Sequence, residues 1–500
     1  MPGPDPTPFP LDHLTLRGDG AAPALVADER SIAFAELDVE VGRVAAALLA
    51  AGLAPGNRVA SWMGKTRLAC LLPLACARAG LVHVPINPVL RRAQAAHILA
   101  DSGASLLISN QARLETLGKP ETATMVLEEW QDGDDSLPAS NHGPDTLAAL
   151  FYTSGSTGRP KGVMLSHANL WLGAVSVAHY LGLSPSDRTL CVLPLAFDYG
   201  QNQLLSAWAA GSCAFAFDYL LPRDVVRAVR RHDVTALAGV PPLWHQLAEA
   251  DWSSGEGRSL RTLTNSGGHL PLPLVRKLRA LFPEARLHLM YGLTEAFRST
   301  SLDPSLVDQH PDSIGTAIPF AEVMILREDG AEAAPGEEGE LVHAGPLVAH
   351  GYWRDQTRTA ERFRPAPAFS ELGGMAVWSG DHAVKGADGL IRFRGRADAM
   401  IKTSGNRVSP TEIEEAALAS RAVVQSVALG VPDAELGEAI LLVAEPKSED
   451  AEERLRAYFS AEMPAFMRPK RVIWRDRLPL GPNGKLDRTA IQADVRKERT

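Results

Sequence analysis

Three observations predict an α/β protein in which a large, multi-subdomain N-terminal domain with mostly parallel sheets carries a small α+β C-terminal domain. Short apolar runs of strand length alternate with helix-period segments from Phe34 to Val240, as parallel strands joined by crossover helices require. The chain's 500 residues exceed what a single hydrophobic core organises. The pattern breaks at Gly395-Arg396-Ala397-Asp398 and restarts as a compact mixture of strands and helices, which divides the chain into 1–395 and 399–500 around a junction at 396–398.

After a proline-rich start, Leu37, Val41, Val44, Ala45, Leu48 and Leu49 mark a helix over Phe34–Leu53 that Gly52 and Pro55 terminate. Strands are expected at Arg58–Met63, Leu81–Pro85 and Ser105–Ser109, with helices at Arg67–Ala79 and Arg91–Asp101 between them. The acidic, aperiodic stretch Thr116–Asp145 reads as a connector. A second round follows: strands Thr189–Leu193, Cys213–Phe217 and Ala236–Val240, and helices Gln203–Ala210 and Pro222–His232. From Ala321 to Val342 short strands surround turns at Glu328-Asp329-Gly330 and Pro335-Gly336. The C-terminal unit reads as helix Pro410–Ala419, strands Val423–Leu429 and Ala439–Ala444, helix Glu452–Phe459 and strand Arg471–Trp474, with a basic, solvated tail from Val495.

Composition narrows the function. A net charge of −9 and pI near 5.9 give no electrostatic reason to bind nucleic acid or an anionic membrane. Cys70, Cys76, Cys191 and Cys213 lie inside apolar segments without metal-ligand spacing, so they read as core thiols of a reducing compartment. The N-terminus lacks a basic region followed by an apolar one, and the apolar run Leu68–Val84 is interrupted by Pro73, Arg78 and Gly80. No secretory signal and no membrane span are expected, and the cytoplasm is the expected location.

Between an apolar run, Leu147–Phe151, and a helix-like segment from Ser166 stands Tyr152-Thr153-Ser154-Gly155-Ser156-Thr157-Gly158-Arg159-Pro160-Lys161-Gly162. Glycines permit close backbone approach, hydroxyls donate, and Arg159 and Lys161 supply charge, so the loop suits a polyphosphate. Glycine after Lys161 sets it apart from the Walker pattern, and an ordinary surface turn uses the same residues. Four further stretches carry chemistry alongside structural alternatives. Tyr291-Gly292-Leu293-Thr294-Glu295 puts a hydroxyl and a carboxylate after a strand, or merely caps a turn. Asn265-Ser266-Gly267-Gly268-His269 is flat enough for an aromatic base, or a plain loop. Asp381, with Arg396, suits ribose hydroxyls, though Asp commonly forms turns. Lys485 sits in a hairpin-like Pro482-Asn483-Gly484-Lys485, where lysine is normally solvated.

Together these stretches resemble the adenylate-forming superfamily of acyl-CoA and aryl-CoA synthetases, peptide-synthetase adenylation domains and luciferases. YTSGSTGRPKG, YGLTE, GELVHAGPLVAHGYW, SGDHAV, GRADAMIKTSGNRVSPTEIE and PNGKLDR occur in the family's order. The resemblance implies ATP- and Mg²⁺-dependent activation of a small-molecule carboxylic acid as acyl-AMP, then transfer to a thiol, either CoA or a phosphopantetheine arm. It implies that Thr153, Ser154, Gly155, Ser156, Thr157, Gly158 and Lys161 hold the β/γ-phosphates. Glu295 would hold Mg²⁺, with Thr157 as a second ligand, and Thr294 would touch the α-phosphate. Gly267, Gly268, His269, Tyr291 and Gly292 would line the adenine slot, and Asp381 and Arg396 would take the ribose. Lys485 would supply charge to the reacting carboxylate; rotation about a hinge at Asp398 would then present Lys402, with Gly405 bordering a thiol tunnel.

The acid pocket is expected from Phe197, Asp198, Tyr199, Val240 and Trp244. Asp198 stands where amino-acid-activating relatives pair a carboxylate with the substrate ammonium, or it faces solvent or bonds to a nearby backbone amide. AFDYGQNQLL and YGLTEAFRST look most like acyl-CoA ligases associated with exosortase gene sets. An acyl-CoA ligase is the leading reading. A stand-alone amino-acid adenylating enzyme serving a separate acyl or peptidyl carrier protein is the alternative, and a non-catalytic nucleotide-binding relative ranks below both.

Overall fold

Strands such as Val82–Pro85 and Leu106–Ser109 are buried along their whole length, which is why they read as continuous apolar runs rather than alternations. The computed structural model describes residues 3–118, 120–153, 160–253, 255–268, 270, 272–396, 401–408, 410–479 and 488–497. Two compact units emerge. One comprises Met1–Pro88, Ala95–Tyr152 and Lys161–Gly395; the other comprises Val89–Gln94, Thr153–Pro160 and Arg396–Thr500.

The large unit is α/β with mostly parallel sheets. A six-stranded sheet runs Ala123–Val126, Leu106–Ser109, Arg58–Trp62, Val82–Pro85, Leu147–Thr153, Lys161–Ser166. A nine-stranded sheet runs Thr316–Ala317, Thr300–Ser301, Arg286–Tyr291, Thr262–Asn265, Ala236–Gly239, Arg188–Cys191, Cys213–Ala216, Pro23–Ala27, Arg30–Ala33. Its interior pairs are parallel, and antiparallel pairs close both ends. A third, antiparallel sheet contains Glu322–Leu326, Glu338–Ala344 and Met375–Lys385. Helix His167–Leu181 opens with a Ser166–Asn169 capping box and packs beside helix Asp198–Ala209.

Two expectations for the large unit need correction. The stretch read as a connector, Thr116–Asp145, contains the strand Ala123–Val126, which pairs in parallel with Leu106–Ser109. An edge strand whose residues are exposed or half-buried carries no apolar run to betray it. The helix expected from Gln203 begins at Asp198; its polar first turn masks the start, although an acidic residue is favourable there.

The small unit is α+β. Strands Ile401–Thr403, Asn406–Val408, Val423–Asp433, Gly437–Pro446 and Arg471–Trp474 form one sheet. Ala428, Ile440, Leu442 and Ala444 bury one face with Ile413, Leu455 and Phe459. Val427, Leu429, Leu441 and Val443 bury the other with Ile491 and Val495, as strand alternation dictates. Val495 therefore belongs to the core of this unit, within helix Arg488–Lys497, and not to a solvated tail.

Candidate active site

The carboxyl ends of parallel strands Ala236–Gly239, Thr262–Asn265 and Arg286–Tyr291 lead directly into loops holding the quoted motifs, the usual position of a ligand crevice in an open α/β sheet. Lys161 begins a strand whose Met164 N–H donates to Gly351 O at 2.9 Å, while Trp353 N–H donates to Gly162 O at 2.8 Å. This pairing brings Tyr352 to Lys161. Lys161 Nζ donates to the Tyr352 hydroxyl at 2.6 Å, and that hydroxyl donates to Glu295 Oε1 at 2.7 Å. Lys161 and Glu295 themselves are 3.4 Å apart. Burial lowers the Lys161 pKa, partly opposed by Glu295. Tyr352 was not singled out from the sequence, although it lies inside the quoted HGYW.

Tyr291 ends its strand and donates through its hydroxyl to Asp381 Oδ2 at 2.5 Å; Asp381 is fully buried. After Asn265, Gly267 adopts a positive φ of 80°, and a Cβ on Gly268 would come within 3.1 Å of Pro241 Cγ. A side chain is therefore disfavoured at Gly267 by its backbone and crowded at Gly268 by Pro241.

Thr294, Glu295 and Ala296 form a short 3-10 turn that Phe297 leaves at φ 59°, ψ −72°, a conformation costly for a non-glycine residue. The fully buried Phe297 ring occupies space that a Cβ on Gly173 would fill. This turn sends Glu295 towards Lys161 and Arg298 towards Asp198. Thr294 Oγ1 donates to Asp198 Oδ1 at 3.4 Å, and Arg298 Nη2 lies 4.0 Å from Asp198 Oδ2. Arg298 also lines a cavity against helices His167–Leu181 and Asp198–Ala209, together with Tyr199, Asn202, Met290 and Tyr180. The Tyr199 hydroxyl is held at Thr264 O, 2.9 Å away.

Of the five residues expected to form the acid pocket, Tyr199 lines this cavity. Asp198 stands beside it through Arg298, and Phe197 caps the helix start. Val240 caps the next helix, and Trp244 is fully buried with its indole N–H donating to Thr264 O at 3.3 Å. Sequence reasoning missed Arg298 and Asn202. Tyr199, Asn202, Gln203 and Ser206 are spaced i, i+3, i+4, i+7, one helix face, which is the signal that could have found that wall.

Thr153 ends its strand with a buried hydroxyl that has no hydrogen-bond partner among the described residues. In the small unit, Lys402 donates its backbone N–H to Glu438 at 2.7 Å, and Gly405 forms the turn into Asn406–Val408 with φ 74°. Ser154, Gly155, Ser156, Thr157, Gly158, His269, Asp398 and Lys485 lie outside the described residues, as does the side chain of Arg396.

A cation–carboxylate pair at Lys161 and Glu295, a glycine turn after Asn265 and a buried acid held by Tyr291 stand on loops of one α/β unit, an arrangement suited to a nucleotide-using, acid-activating enzyme. The chain belongs to the AMP-binding enzyme family, whose model matches residues 15–353, and the model of the family's C-terminal domain matches 412–485. It is 34% identical over 482 residues to a feruloyl-CoA synthase of Amycolatopsis, covering 93% of this chain and 94% of that protein. It is 30% identical to an L-proline–[L-prolyl-carrier protein] ligase of Pseudomonas fluorescens, covering 94% and 96%. In fold it is similar to o-succinylbenzoate CoA synthetase of Bacillus subtilis, with TM-score 0.85, 24% identity and coverage of 97% and 98%. ATP-bound MatB of Rhodopseudomonas palustris gives TM-score 0.71 at 26% identity, covering 98% and 99%.

The enzyme is an AMP-forming acid–thiol ligase of the acyl-CoA synthetase type, a class that uses ATP, Mg²⁺ and CoA. The residues fit these groups. Among the described residues no cluster of three or more His, Cys, Asp or Glu side chains offers a protein-only metal cage. Mg²⁺ commonly needs only one or two carboxylates plus substrate phosphates, and Glu295 would supply one. The buried Thr153 hydroxyl, without a partner among the described residues, could donate to a phosphate oxygen. No described helix is long and apolar enough to cross a membrane.

Proposed function

We propose that this enzyme adenylates a carboxylic acid without an α-amino group, of the arylpropenoic type, and transfers the acyl group to CoA. The observation that carries this reading is the Asp198–Arg298 pair: a carboxylate already facing a buried guanidinium at 4.0 Å has no need of a substrate ammonium. The 34% identity to feruloyl-CoA synthase supports the same class of acid.

In this reading Lys161, Thr153 and the loop Ser154–Gly158 hold the β/γ-phosphates, and Glu295 holds Mg²⁺ with help from Thr157. Thr294 meets the α-phosphate, where charge develops as pyrophosphate departs. Tyr291 and the Gly267–Gly268–His269 turn flank adenine, with Gly292 beside them, and Asp381 and Arg396 take the ribose hydroxyls. Lys485 neutralises the attacking carboxylate. The domain division falls at 395, 396–398 and 399; movement about Asp398 replaces Lys485 by the face bearing Lys402 and Gly405, where the thiol enters. The four free, buried cysteines support a reducing, cytoplasmic setting.

A second reading is favoured by the placement of Asp198 and by the prolyl-carrier ligase relative: an amino acid is activated and a separate carrier protein is loaded. Pyrophosphate exchange with arylpropenoic, fatty and amino acids, followed by CoA thioester formation, separates the two. Exchange with amino acids alone, abolished by Asp198→Ala, would replace the first reading by the second.

A further inference from the structure

The cavity lined by Arg298 adjoins the Thr294 turn through the Asp198–Arg298 pair, and two residues of its wall carry buried polar atoms without partners among the described residues. Its walls include apolar Val177, Leu181, Leu237 and Met290. Arg298 is 2% exposed. Its Nη1 donates to Ser266 Oγ at 3.0 Å, and its guanidinium lies 4.7 Å from the Tyr199 ring centroid. Its Nε is buried and has no hydrogen-bond partner among the described residues, and the same holds for Oδ1 of Asn202, also in the cavity wall. A buried donor and a buried acceptor left unpaired are each costly. Charge is a separate constraint. Arg298 is matched by Asp198, so a charged tail would leave an uncompensated buried charge, whereas a neutral one would not.

Resting on the ligase reading above, we infer that Arg298, with Asn202, determines specificity by recognising the far end of the acid, and that the tail it selects is neutral and carries a hydroxyl. A hydroxyl oxygen accepts from Arg298 Nε, and a hydroxyl hydrogen suits the Asn202 carbonyl. A site equipped in this way discriminates strongly against an analogue lacking the group, because its own polar atoms are then left unpaired.

The test compares 4-hydroxyphenylpropenoic acid with phenylpropenoic acid in pyrophosphate exchange at saturating ATP, using the whole chain, Arg298→Met, Arg298→Lys and the Asp198→Asn/Arg298→Met pair. The unaltered enzyme is expected to favour the hydroxylated acid about tenfold or more in kcat/KM. In Arg298→Met the ratio collapses to about twofold, through a raised KM for the acid with an unchanged KM for ATP. The double variant removes both charges and guards against simple loss of folding. Equal use of the two acids by the unaltered enzyme, or a ratio that persists in the variants, overturns the inference while leaving the ligase reading intact. Exchange with no acid at all, with ATP still raising the melting temperature, overturns the ligase reading and this inference with it.

Discussion

Lys161 and Glu295 lie 3.4 Å apart, and the Tyr352 hydroxyl hydrogen-bonds to both. The lysine proposed to meet phosphates is thus tied, directly and through Tyr352, to the carboxylate proposed to meet the metal. Tyr352→Phe should raise the KM for ATP several-fold and cost about 1 kcal/mol of stability, the worth of a typical buried hydrogen bond. Glu295→Gln should lower the exchange rate by about a hundredfold or more and shift its Mg²⁺ dependence to higher concentration. A Mg²⁺ titration of the exchange rate checks both; an unshifted titration in Glu295→Gln would remove that residue from the metal site.

Lys161 also makes a pH prediction with two opposite signs. Its pKa is lowered by burial from an ordinary 10.5, so between the folded and unfolded values the unfolded chain binds more protons and this residue's contribution to stability rises with pH. The same proton loss removes the charge proposed to meet phosphate, so the KM for ATP should increase with pH below the ordinary lysine range. Lys161→Arg should abolish the alkaline rise in KM.

The Asp381 carboxylate, fully buried and held by Tyr291 at 2.5 Å, should discriminate ribose from deoxyribose. The native enzyme should prefer ATP to 2′- and 3′-deoxy-ATP, and Asp381→Asn should erase most of that preference. Tyr291→Phe should lower the melting temperature, because it removes one donor from a buried charge, at a cost of about 1–3 kcal/mol. Unchanged nucleotide preference in Asp381→Asn would place the ribose elsewhere.

Acid should destabilise the large unit well before the carboxylates titrate. Burial lowers His288 from 6.5 to about 4 and His83 and His343 to about 3. The unfolded chain therefore takes up protons that the folded one refuses, and stability is lost as pH falls below about 6.5. His83 accepts or donates at Ser61 Oγ across 2.9 Å, so His83→Gln should flatten the acid limb of a denaturation series measured between pH 7 and 4.

Lys485→Ala should abolish pyrophosphate exchange yet leave thioester formation from supplied acyl-adenylate largely intact, whereas changing Lys402 or Gly405 should do the reverse. Residual exchange at the native rate in Lys485→Ala would remove it from the first half-reaction.

The motif residues were legible because their chemistry and spacing lie within single loops: Lys161, Thr294 and Glu295 needed no fold to be noticed. Tyr352 and Arg298 were not legible in this way, because what matters is what they meet. Tyr352 reaches Lys161 only through the bridge between Val163 and Tyr352, and Arg298 reaches the cavity only because the chain turns at Phe297. Asp198 was legible as an acid at a telling position, but its charge partner is distant in sequence. The strand Ala123–Val126 escaped notice because an exposed edge leaves no apolar trace.

That turn at Phe297, seated against Gly173, joins two kinds of selectivity. Glu295 and Arg298 hang from one short, strained piece of backbone, so substitutions at the proposed acid-selecting residue should also move the residue proposed to hold the metal. Altered substrate range and efficient nucleotide use should therefore trade off when this enzyme is evolved in the laboratory. Pocket transplants between relatives should succeed only when the residues at 173 and 297 travel together with the one at 298.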